Sequence, residues 1–235
     1  MLTLQEINKQ VDLYNSCDKA NSVPYFDEIV LINNEKTLAS VKFEDLKNDK
    51  HIIYVSNELS NYDKREQLAI LWHEFTHVAD YYKNHDKIDN IQYVLKTYSE
   101  AHATSIELTR LSHPNDDNLF WKEGKYASAI EVAKSYFSQS ANASIRFAES
   151  KHPYDFNEMT TQFCYFCGCL MLYNTAHLAY AKLMQDYPKN YFNEINAIGL
   201  AIINHDIARA AKYYEFFFQE QKSIALNTYR PDNIK

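Results

Sequence analysis

Three glycines, Gly124, Gly168 and Gly199, and five prolines are the only strong breakers in 235 residues. A chain so poor in turn residues cannot make the many tight reversals of an all-β fold, so most of it must run in long helices. Hydrophobic residues make up 46% of the chain, enough to bury a core without disulfide staples. The expected fold class is α+β, mainly helical.

The hydrophobic spacing orders this expectation along the chain. Leu4, Ile7, Val11 and Tyr14 share one face of an N-terminal helix. Residues 28–33, 38–43 and 51–56 are short, rich in β-branched residues and bounded by polar clusters, which predicts a small sheet of two or three strands. Capping oxygens at Ser60, Asn61 and Asp63 then precede a helix from about Tyr62 to about Lys83. Its apolar stripe (Leu68, Leu71, Trp72, Phe75, Val78, Ala79, Tyr82) is joined by a second inward face carrying Ile70, His73 and His77, so it must be covered on more than one side. Another helix is expected to start in the nineties and end before Pro114. From Asn118 onward the pattern predicts three or four amphipathic helices, broken at 150–153 and at Pro188. The strand patterns stop near residue 115, which divides the chain into residues 1–115, holding the small sheet and the histidine-bearing helix, and a helical extension over 116–235.

Charge and cysteine usage exclude several classes. The net charge of -7 is spread along the chain and disfavours a nucleic-acid surface. MLTLQEINKQVDLY lacks the basic start and apolar block of a signal peptide, so the expected location is the cytoplasm. The most apolar stretch, Phe163 to Tyr173, falls short of the ~18 to 20 residues of a bilayer span and is expected to be a buried helix, with no membrane partner. Cys164, Cys167 and Cys169 crowd into CYFCGC, which is no disulfide framework; packed thiols are expected there rather than a second metal site.

The stretch LAILWHEFTHVADYY carries the chemistry. His73, Glu74 and His77 spell H-E-x-x-H, which on a helix sets two imidazoles one turn apart on one face, so that both can hold a single Zn²⁺. Glu74, turned about 100° from His73, can take a proton from a water at the metal without being a ligand itself. The chain's own His and Glu frequencies give roughly 0.02 chance matches to this motif over its length. Burying three such groups without an ion or a hydrogen-bond network would be costly.

A catalytic zinc takes a third protein ligand and keeps one open position. The positions three and six beyond His77 are Asp80 and Lys83, which does not fit a Gly and His continuation. A glutamate on the following helix is the other solution, with Glu100 in EAHATSIEL the first choice. Glu107, seven residues on, shares its helical face, and His102 points about 200° away from it. Here HEFTH followed by EAHATSIEL resembles the gluzincin side of the zincin metallopeptidases and, more narrowly, the ImmA/IrrE group. The resemblance covers about residues 25–114, with His102 and Thr76 departing from the pattern.

That resemblance implies an intracellular zinc metalloprotease with His73, His77 and Glu100 on the metal and Glu74 as base. It also implies a protein or peptide substrate, such as a regulatory protein cut at one site. The alternative reading is a non-catalytic, zinc-containing protein-binding regulator, closed by a fourth protein ligand such as His102. Asp80, one turn past His77, is placed to accept from an imidazole N–H. An oxyanion donor is also needed, but 19 tyrosines leave the choice open. The aromatic run KYYEFFF, Lys212 to Phe218, is expected to pack the last helix onto the core.

Overall fold

The computed structural model describes residues 2–17, 22–34, 37–122, 124–172 and 176–228. The first helix, α1 (Leu4–Cys17), buries Ile7, Val11 and Tyr14, the face its spacing predicts. Strands β1 (Glu28–Ile32), β2 (Ala39–Ser40) and β3 (Ile52–Ser56) form one sheet in the order β1-β3-β2. β1 and β3 are parallel, with Glu28 opposite Ile52, and β2 is antiparallel, with Ala39 opposite Val55. The strand expected over 38–43 is cut short because the chain turns at Lys42 into α2 (Phe43–Lys47).

Helix α3 (Lys64–Asn84) is the central element. Asp63 caps it by accepting from the N–H groups of Arg65 and Glu66 at 2.8 and 3.0 Å, which satisfies donors a helix start leaves unpaired. Every residue from Leu71 to Tyr81 is buried. α1, β2, α4 (Ile91–Leu95) and α5 (Tyr98–Leu111) all pack against α3. Ile53 and Val55 of the sheet share a core with Leu71, Phe75 and Val78 of α3.

The region after α5 differs from the expectation of helices alone. β4 (Ser112–His113), β5 (Asp116–Lys122) and β6 (Lys125–Ser128) make a second antiparallel sheet, with Phe120 opposite Ala127. Gly124, at φ 77°, takes the left-handed conformation in the β5–β6 turn. DDNLFWK is too polar to display a strand's alternation. The expected boundary at residue 115 falls in the turn between β4 and β5.

Among the described residues five helices follow rather than three or four: α6 (Ala129–Ser150), α7 (Pro153–Met171), α8 (Ala176–Met184), α9 (Phe192–Ile203) and α10 (Ile207–Thr228). A capping box of Ser128 and Glu131 opens α6, and Lys151 in the left-handed region closes it at the expected break. The apolar segment from Phe163 lies in α7 as expected, with Cys164, Cys167 and Cys169 buried and unbridged; its end, Tyr173, and Asn174 and Thr175 lie outside the described residues. α7 packs against α6 and, across the residue-115 boundary, against α5. That second seam is close: a Cβ added at Gly168 would stand 2.4 Å from the Ala101 carbonyl oxygen and 2.8 Å from Thr104 Cβ. In α10, Tyr214 and Phe217 join the core while Phe216 is 76% exposed, so the aromatic run is only partly spent on packing. No helix among the described residues is long and apolar enough to cross a membrane.

Candidate metal centre

Helix α3 brings His73, Glu74 and His77 together as the spacing predicts. Their ligating atoms lie within 4.8 Å of one another, and all three residues are buried, at 8 to 9% exposure. This is the only potential metal-holding group of His, Cys, Asp or Glu found among the described residues. The packing of α5 onto α3 adds Glu100, whose Oε2 stands 3.7 Å from His73 Nε2 and 3.7 Å from His77 Nε2. That spacing is too long for a direct hydrogen bond. It is close to the edge, about 3.4 Å, of a tetrahedron with metal–ligand bonds of about 2.0–2.1 Å. The arrangement therefore suits a shared cation better than a direct contact.

The outer nitrogens of both rings are occupied. His73 Nδ1–H donates to Glu107 Oε2 at 2.9 Å, and His77 Nδ1 pairs with Ser99 Oγ at 2.9 Å. Bonds of this kind fix ring orientation, leaving each Nε2 on the side of Glu100. Glu107, weighed above as a ligand, thus sits behind His73. His102 is turned away: its Nδ1–H donates to the buried Asp80 carboxylate at 3.0 Å. Asp80 does accept from an imidazole, but from that of His102 rather than His77.

The charges are strongly coupled. Burial pulls the His73 imidazole down, yet the facing carboxylates of Glu100 and Glu107 outweigh it and hold its pKa well above the usual value. Burial depresses His77 to about 4 despite the charge of Glu100. Burial would raise Glu100, but His77 and His73 reverse that and hold it at about 2. For Glu74 burial wins, pushing its carboxyl up to about 7 against the pull of His73. Val41 N–H, just past β2, donates to Glu74 Oε2 at 2.9 Å and fixes that side chain. Two imidazoles and a carboxylate at ion-sharing distance, with further carboxylates crowded behind them, form a donor set that a divalent cation fits.

The group lies in a cleft of about 620 Å³. Ser40 and Val41 line it near α3, and Asn157, Thr161 and Tyr165 line it from α7. These three α7 residues are spaced four apart and so share a face. Tyr165 stands edge-on to His73, with ring centroids 6.0 Å apart, and is backed by Tyr136 at 5.3 Å. Sequence reasoning missed Tyr165, because nothing local sets it apart from the other tyrosines. The one available signal was Gly168 a turn later, which marks the close seam that carries α7 to the site.

No protein-family model matches the chain, and no similar protein was found among curated proteins or solved structures.

Proposed function

We propose that the chain is a zinc-dependent metallopeptidase of the zincin type. The convergence of His73 Nε2, His77 Nε2 and Glu100 Oε2 on one point beside Glu74, in an open cleft, is the observation that carries this reading. His73, His77 and Glu100 would hold the metal, and no fourth ligand is supplied by His102, which is engaged with Asp80. When bound, the metal supplies a Lewis acid that polarises a peptide carbonyl and lowers the pKa of a water towards about 7.

The chain's own groups do the rest. Glu74, kept near neutral pKa by burial and steadied by Val41 N–H, takes a proton from the attacking water and returns it to the leaving amine. Tyr165 extends from α7 into the same cleft, where its hydroxyl can donate to the developing oxyanion. Glu107 and Ser99 orient the two imidazoles. The substrate would be a peptide or protein, such as an intracellular regulatory protein.

The test is Glu74→Gln, which keeps the shape and the Val41 bond but cannot take a proton. Metal content should be unchanged while peptide hydrolysis falls by a factor of about 10² to 10⁴. Full activity in that variant would reject the reading.

A further inference from the structure

The cleft that holds the facing ligands is also lined by an aromatic cluster. Tyr93 of α4 and Tyr214 and Phe218 of α10 line it. Tyr93 lies 5.8 Å from Tyr214 and 6.2 Å from Phe218 between ring centroids, and the last two rings are stacked at 8°. The Tyr93 hydroxyl is engaged by Gln219 Nε2 at 3.3 Å, away from the work of binding a ligand. Lys96, at the end of α4, lines the same cleft and is exposed. Among the described residues it is the only lysine or arginine lining the cleft, and it makes no close ion pair, its charge reaching Glu100 only at longer range.

We propose that this region is a subsite for a peptide pairing a large apolar or aromatic side chain, seated among Tyr93, Tyr214 and Phe218, with a carboxylate held by Lys96. The inference rests on the peptidase reading of the same cleft. Aromatic faces gain from offset and edge-on packing with a further ring. An exposed cation in the same cleft favours a carboxylate on the bound peptide and disfavours a lysine or arginine at that place. The chain as a whole carries -7, so the attraction is local and must weaken with salt. A side-chain carboxylate and a peptide C-terminus offer Lys96 the same chemistry.

The experiment measures binding of fluorescein-tagged octapeptides to the zinc-loaded Glu74→Gln chain by anisotropy, so that hydrolysis does not enter. The peptides carry Phe followed by Asp, Asn or Lys, or Ala followed by Asp, each internal with an amidated end. A further pair ends in Phe with a free or an amidated terminus. The Phe-Asp peptide should bind about three- to tenfold tighter than Phe-Asn, and tighter still than Phe-Lys. Replacing Phe by Ala should cost about tenfold. Lys96→Glu should reverse the order of Asp and Lys.

A preference among the amidated peptides assigns the carboxylate to a side chain, and one seen only with the free terminus assigns it to the C-terminus. Equal binding of the internal charge variants together with equal binding of the free and amidated termini, a preference unchanged in Lys96→Glu, or no binding at all overturns the subsite. Cleavage by the unsubstituted chain is read separately. Cleavage without charge preference removes the subsite and keeps the peptidase, whereas selective binding without cleavage does the opposite.

Discussion

Gly168→Ala tests whether the seam between α5 and α7 holds the site together. The new Cβ would meet the Ala101 carbonyl oxygen at 2.4 Å and Thr104 Cβ at 2.8 Å, where ordinary contact begins near 3.4 Å, so the helices must part by about 0.6 to 1 Å. Neither partner is the far end of a flexible side chain, so overpacking should reach the upper part of the usual range, about 3 kcal/mol. Alanine returns about 1 kcal/mol of helix propensity over glycine. The net loss is about 2 kcal/mol. At roughly 2–4 °C per kcal/mol for a chain of this size, Tm should fall by about 4–8 °C in a thermal melt. Tyr165 sits one turn before Gly168, and a displacement of about 1 Å at a reacting group can cost a factor of about 10² in rate. Peptide hydrolysis should therefore drop more than the melt alone explains. A variant with unchanged Tm and rate would refute the argument.

Two further outcomes follow from the charges behind the metal group. Glu107→Gln removes the carboxylate that orients His73 and should weaken metal affinity by about 10- to 100-fold in a competition titration with a chelator, whereas unchanged affinity would make that bond incidental. Metal uptake should also depend on pH with a defined sign. Without an ion, His73 is protonated until well above its usual pKa because of Glu100 and Glu107, so the metal must displace a proton. Affinity should rise with pH by about tenfold per unit up to the raised His73 pKa and then flatten, whereas flat affinity from the usual histidine value upward would show that His73 holds no such proton.

The candidate metal group was legible because its determinants are local. Four-residue spacing on one helix fixes where His73 and His77 stand, and the cap at Asp63 and the apolar stripe fix the helix itself. Glu100 could be singled out from Glu107, which shares its helical face, only by its place in EAHATSIEL, and its distance to the imidazoles is set by how α5 packs on α3, which no local pattern encodes. The same limit hid the partner of Asp80, since an aspartate one turn past His77 can reach either that ring or one on a neighbouring helix. β4 to β6 escaped because short strands with a polar face give weak periodicity beside strong helical signals. Tyr165 and Lys96 belong to the cleft through the packing of whole helices, so their place emerges only with the fold.

The most direct measurement of the central claim is zinc per chain, by elemental analysis after reconstitution and removal of free metal, for the unsubstituted protein and for His77→Ala, Glu100→Gln and His102→Gln. Convergence of His73, His77 and Glu100 predicts about one zinc in the unsubstituted chain and in His102→Gln, with loss in His77→Ala and sharply weakened retention in Glu100→Gln. A metal-free unsubstituted chain, or zinc that survives His77→Ala and departs with His102→Gln, would contradict it.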